Sequence, residues 1–181
     1  MKRIVKGSKG FTLIELLVVI AIIGILAAIS VPVISKAMVS AKKAQAAAEI
    51  KTIETAVKAY FNDYSRFPHN SGQQDDLTYS DLGAVENAQL LNVLRAIDGP
   101  GNATHVNNPR RIVYIELSDK ALDANGNFID PWQRQYTVTV DTAFDNDCKN
   151  VPVYGTVANR PVAAWSRGPE ASLDDDNIKS W

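Results

Sequence analysis

One cysteine (Cys148) and two histidines (His69, His105) are all that 181 residues offer as soft metal ligands or reactive thiols. A lone thiol closes no intrachain disulfide, and nothing around either histidine has metal-ligand spacing. No Ser/His/Asp or Cys/His set and no glycine-rich phosphate loop is present, so the residues point away from an enzyme. Basic charge is also scarce outside one place. Four of the 19 Lys and Arg residues (Lys2, Arg3, Lys6, Lys9) fall within the first nine positions, leaving 15 to set against 20 Asp and Glu in the rest. A net charge of −5 over that remainder excludes non-specific nucleic-acid binding, which needs a basic surface.

What is present is a long apolar run. Leu16 to Ile29 is broken only by Gly24, and Phe11 to Ile14 extend it towards the N-terminus. A membrane-crossing helix needs roughly 20 such residues. Basic residues ahead of the run keep the N-terminus cytoplasmic by the positive-inside rule. An ordinary secretory signal differs from this pattern, because no small-residue cleavage site follows a short apolar core. Glu15 is the exception within the run. A carboxylate in a membrane segment costs several kcal/mol, about 2.5–3.5 at mid-span on insertion scales, and so marks a functional residue in need of a partner. A cut after Gly10 would expose an amine on Phe11 at the same depth.

Lys9-Gly10-Phe11-Thr12-Leu13-Ile14-Glu15 resembles the processing site of type IV pilins and type II secretion pseudopilins. Gly10 stands before the cut, Phe11 is the new first residue, Glu15 is the fifth, and Pro32 falls where that family kinks its helix. The resemblance covers about the first 60 residues. It implies a prepilin peptidase that removes residues 1–10 and methylates the Phe11 amine, and a retained helix that packs into a filament. Glu15 would then meet the Phe11 amine of a neighbouring copy. The single cysteine leans towards the pseudopilin branch, since many type IV pilins staple their C-terminal loop with a disulfide.

The domain plan is a leader (1–10), a transmembrane and filament-core helix (11–34), and a periplasmic head (35–181) that includes the amphipathic half of the helix. Pro32 predicts a kink or local melting near Ala28. Beyond it, Ile50, Ile53, Val57, Tyr60 or Phe61, and Tyr64 form a stripe at helical spacing. Lys42, Lys43, Glu49, Lys51, Glu54 and Lys58 are expected on the opposite, solvent side. A helix of about 50 residues would be roughly 75 Å long, too long to bury itself in a head of this size. Pro68 ends it. Residues 69–84 read as a polar connector, and 85–97 as a short amphipathic helix with Leu90, Leu91, Leu94 and Ile97 inward. Residues 111–117 read as extended or as a short helix, Asp123–Asn127 as a turn, Tyr136–Val140 as an alternating strand, and 151–158 and 162–165 as further strands. The fold class is α+β, a type IV pilin-like fold with the long N-terminal helix packed on a small antiparallel sheet.

Two short motifs resemble the major pseudopilin of type II secretion. Asp130-Pro131-Trp132 precedes a Tyr-containing strand, although Gln133 stands where that family has glycine. Ser166-x-Gly168-x-Glu170, followed by Asp176-Asn177-Ile178-Lys179-Ser180-Trp181, matches its C-terminal region with Glu for Asp and one insertion. By themselves the carboxylates of Asp174–Asp176 are either a solvated tail or hard oxygen ligands for calcium. The resemblance implies calcium, with Glu170 and Asp175 or Asp176 as side-chain ligands and Arg167 offering its carbonyl. The function implied is a structural subunit of a type II secretion pseudopilus that drives protein export across the outer membrane. The alternative is a type IV pilus subunit for adhesion, motility or DNA uptake. Expected partners are the prepilin peptidase, copies of itself and other pseudopilins, and an inner-membrane assembly platform. The expected location is the inner membrane, single-pass with a periplasmic head, and then a periplasmic filament.

Overall fold

A computed structural model describes residues 10–68, 76–83, 85–170 and 177–181. Its first element, α1, runs from Leu13 to Tyr64. Pro32 neither ends nor melts it: residues 28–32 stay helical, and Ser30 and Ser35 donate their hydroxyls to the carbonyls of Leu26 and Val31 (2.7 and 3.0 Å). Tyr64 is the last helical residue, and Ser65 follows at φ +51°.

The chain divides after Ser40 into two units. In the first, eighteen large apolar side chains between Phe11 and Val39 stand exposed. Each would gain about 1.5–3 kcal/mol on leaving water, so this unit needs tens of kcal/mol of cover. It holds the one described helix long and apolar enough to cross a membrane.

The second unit has its own core. Ala46, Ile50, Ile53, Val57 and Tyr60, at the expected three- and four-residue spacing, are buried against a sheet. The sheet has four antiparallel strands in the order β1 (Leu77–Tyr79), β2 (Thr137–Val140), β5 (Val162–Ser166), β6 (Ile178–Lys179). Between β2 and β5 the chain makes a hairpin, β3 (Cys148–Val151) and β4 (Gly155–Val157). A helix, α2 (Asn87–Leu94), packs Leu90, Leu91 and Leu94 inward as expected, whereas Ile97 lies beyond its end and is exposed. Residues 111–117 form neither strand nor helix, yet Ile115 is buried.

Both faces of the sheet are covered. Along β5, Val162 and Ala164 join the core beneath α1, while Ala163 and Trp165 join a second cluster with Cys148, Val151 and Val157 of the hairpin. This is the period-2 alternation of a strand buried on both sides, so β2 and β5 have no exposed residue. The stretch expected as a single strand over 151–158 contains the second half of that hairpin, whose turn lies at Pro152–Tyr154.

Glu54 departs from the sequence expectation. It is 1% exposed rather than solvated. Its carboxylate meets Lys58 (2.5 Å), Lys51 (2.8 Å) and Arg160 from the turn between β4 and β5 (3.8 Å). Three cations compensate the buried charge, whose desolvation would otherwise cost several kcal/mol.

Candidate functional site

The helix start follows directly from four residues. Gly10 and Phe11 precede the first helical residue and are exposed, Phe11 at 80%. The Gly10–Phe11 peptide bond therefore lies outside the helical hydrogen-bond ladder. Thr12 and Glu15 form a capping box. The Thr12 backbone N–H and hydroxyl both donate to Glu15 Oε2 (2.8 and 2.7 Å), and the Glu15 N–H donates to Thr12 Oγ1 (3.3 Å). This arrangement satisfies helix donors that otherwise lack partners and places a carboxylate at the positive end of the helix dipole. The Phe11 nitrogen is an amide in the uncut chain, so the carboxylate's present partner is Thr12. The Thr-x-x-Glu spacing is the sequence signature of this box.

In the head, the two short motifs are joined. Asp130, 1% exposed, accepts the backbone N–H groups of Trp132 (2.9 Å) and Arg134 (3.0 Å) on Oδ1. Its Oδ2 accepts the Ser166 hydroxyl (2.7 Å). Ser166 Oγ in turn accepts the Gly168 N–H (3.1 Å), and Arg134 donates to the Gly168 carbonyl. Asp-Pro-Trp and Ser-x-Gly, 36 positions apart, are thus one buried unit. Gln133 adopts φ +69° in this turn. The left-handed conformation that glycine supplies freely is therefore kept, at a cost of about 1–2 kcal/mol for a residue with a Cβ.

Two of the residues expected around calcium, Asp175 and Asp176, lie outside the described residues. Glu170 is exposed, and the Arg167 guanidinium pairs with Asp81. Among the described residues no three acidic, His or Cys side chains converge as a metal site. Oδ1 of Asn177, a buried residue, has no hydrogen-bond partner among the described residues, while its Nδ2 donates to Tyr154 Oη (2.5 Å). Tyr154 also packs edge-on against Trp165 and Trp181 and lies under Lys179 Nζ at 4.4 Å, tying the C-terminal residues to the hairpin.

Cys148 is fully buried. Burial pushes its thiol up to about 12, helped by Asp76 and Asp141, so it is protonated and closed to both disulfide exchange and cross-chain bridging.

Residues 5–31 match the family described as the prokaryotic N-terminal methylation motif. The chain is 45% identical over 60 residues to a type IV major pilin protein, PilA, of Myxococcus xanthus, covering 33% of this chain and 27% of that protein. It is 35% identical over 85 residues to a fimbrial protein of Pseudomonas aeruginosa, covering 47% and 54%. A fimbrial protein of Neisseria meningitidis is 28% identical over 158 residues, covering 80% and 92%. Against the first two, the chain spans about a quarter and about half of the relative's length. No solved structure matches the chain.

Proposed function

We propose, from the premise that this chain is a type IV pilin-like protein, that it is a polymerising structural subunit of a type II secretion pseudopilus. The observation that carries polymerisation is the exposed apolar surface of residues 11–39 around a single carboxylate at the helix start. Lipid covers that surface before assembly, and the same segment of other copies covers it afterwards. The motif implies cutting between Gly10 and Phe11 by a prepilin peptidase and methylation of the new amine. The subunit then waits in the inner membrane as a single-pass protein with its head in the periplasm, and an assembly platform there extracts it into a filament with other pseudopilins. Glu15 exchanges its Thr12 contacts for the Phe11 amine of a neighbour and so fixes axial register. Glu15→Ala should leave cutting and membrane insertion intact and abolish filaments; normal filaments from it would defeat this role.

The secretion reading is supported by the buried Asp130–Ser166 link, which unites the two motifs resembling a major pseudopilin, and by a cysteine that takes part in no disulfide. A second reading, a type IV pilus subunit, is favoured by the names of the relatives, which are pilins and fimbrial proteins. Deletion in the source cell separates them. Loss of extracellular proteins with unchanged surface fibres supports secretion, and loss of surface fibres with normal export supports the pilus.

Calcium belongs to the same proposal. Glu170, Asp175, Asp176 and the Arg167 carbonyl would hold it, and the Asn177 oxygen, without a partner among the described residues, is compatible with an oxygen-donor site there. The ion would neutralise clustered carboxylates that otherwise repel. At 100 times its dissociation constant it would stabilise the head by about 2.7 kcal/mol. Thermal unfolding of the detergent-solubilised chain with millimolar calcium and then with chelator tests this; identical melting curves would remove the site.

A further inference from the structure

The loop that follows β2 is built to present an aromatic ring. Phe144 is 56% exposed and held at φ +61°, with Asn146 also left-handed at φ +66°. Two carboxylates impose this backbone. Asp141 accepts the N–H groups of Asp145 and Asn146 (3.3 and 2.7 Å), and Asp76 accepts those of Thr142, Ala143 and Lys149 (3.1, 3.4 and 2.5 Å). Phe144 lies 6.2 and 5.8 Å from Phe61 and Phe67, which stack on each other at 4.7 Å. The cleft beside the three rings measures about 400 Å³, room for an aliphatic side chain or two. Backbone held in a sparsely populated conformation while exposing a bulky apolar group is the kind of strain that clusters at functional sites. Residues 141–147 carry three carboxylates and no cation, with Lys149 pairing to one of them.

A patch of opposite sign flanks the same end of α1. There Asp63 and Tyr64 meet the segment that follows α2. Arg66 and Arg110 lie 6.0 and 5.9 Å from the Tyr64 ring, and Arg111 is exposed beside them; Arg110 also pairs with Asp63 (3.7 Å), which leaves the patch positive through the other two arginines. Val106 and Val113 are 62% and 53% exposed on this segment, which contains no acid between them. Neither patch is complementary to itself: two acidic loops would repel each other, as would two arginine pairs.

We propose that the acidic Phe144 loop of one copy docks on the Arg110–Arg111 patch of the next, with Val106 or Val113 entering the phenylalanine cleft. Two different surfaces then meet, a heterologous contact that propagates into a filament unless the rotation closes. This rests on the reading of the chain as a polymerising subunit and adds a contact between heads to the one between apolar helices.

The test uses the full chain in cells that carry its assembly machinery. Phe144→Cys and Arg111→Cys are introduced singly and together, and the inert Cys148 is left in place. Intact cells are treated with a membrane-permeant oxidant, and their membrane and periplasmic fractions are run without reductant. The double variant should give a ladder of dimers, trimers and longer species, and each single variant only monomer. Dimers from Phe144→Cys alone would mean that like faces like, and a double variant that stays monomeric within intact filaments would mean no contact; either overturns the proposal. A companion that leaves Arg110 and its Asp63 pair in place is Arg111→Glu, at an exposed residue. Filament yield should fall at least tenfold and recover to half or more when Asp145→Lys and Asp147→Lys are added; an unchanged yield overturns the contact. Absence of filaments from the unaltered chain would overturn the polymerising reading instead.

Discussion

Residues 13–39 and 41–64 share one helix and obey opposite rules. In the first stretch the large apolar side chains are all exposed, whereas in the second they form a stripe buried against a sheet. Secondary structure is therefore common to both, and what differs is the surface each waits for. The second stretch derives its stability from the folded head, and the first from lipid or from other copies, which an isolated subunit in water does not have. A residue's contribution should then be readable in different experiments for the two stretches.

The sharpest contrast pairs Tyr60 with Ile22. Tyr60 is fully buried, donates its hydroxyl to the Asn107 carbonyl (2.5 Å), and packs on Tyr64 and Tyr114. Tyr60→Ala should cost about 3–5 kcal/mol in denaturant unfolding of the solubilised chain. Ile22→Ala should change that unfolding by less than about 0.5 kcal/mol while lowering filament yield. Equal destabilisation by both would erase the distinction.

Glu54 sharpens it electrostatically. Burial pushes its carboxyl up, but the hydrogen bonds and charges of Lys51 and Lys58 outweigh burial and hold it below the ordinary value. A carboxyl depressed on folding stabilises above its unfolded pKa, about 4.3, and that contribution is lost as pH falls through the lower folded value. Glu54→Gln should therefore cost about 1–2 kcal/mol at pH 7. The gap from the unaltered chain should narrow below about pH 4, measured as stability against pH. A constant gap would show that the lost contacts are not charge-dependent.

A smaller effect, of opposite sign, is expected at Gln133. Replacing it by glycine at φ +69° should raise stability by about 1 kcal/mol, seen as a higher Tm. A fall would mean that side-chain contacts of Gln133 outweigh its backbone strain.

The sequence made the helix start, the apolar stripe, α2 and β2 legible, because each rests on local chemistry or on a period in the chain. Glu15 stands out through the cost of a carboxylate in an oily run, whereas the capping role of Thr12 shows only when the two residues are read together as Thr-x-x-Glu. Strand β1 was hidden in a polar stretch. Its three residues are too few to show alternation, and they are strand only because Leu77 to Tyr79 pair with Val138 to Val140, with Thr78 and Thr139 hydroxyls 2.7 Å apart. Glu54 looked like a solvated helix residue because Arg160, which helps to bury it, is 106 positions away. The link between Asp130 and Ser166 is likewise a product of β2 pairing with β5, which no spacing along the chain reveals.

The described sheet is flanked by strands of only three and two residues, β1 and β6. Unpaired backbone along a sheet margin is what lets one molecule zip onto another irreversibly, and margins this short offer few rungs for it. Heads crowded side by side at high local concentration would then meet through side chains alone. On the proposed reading, a fibre so built would come apart subunit by subunit, since no shared ladder would have to be unpicked.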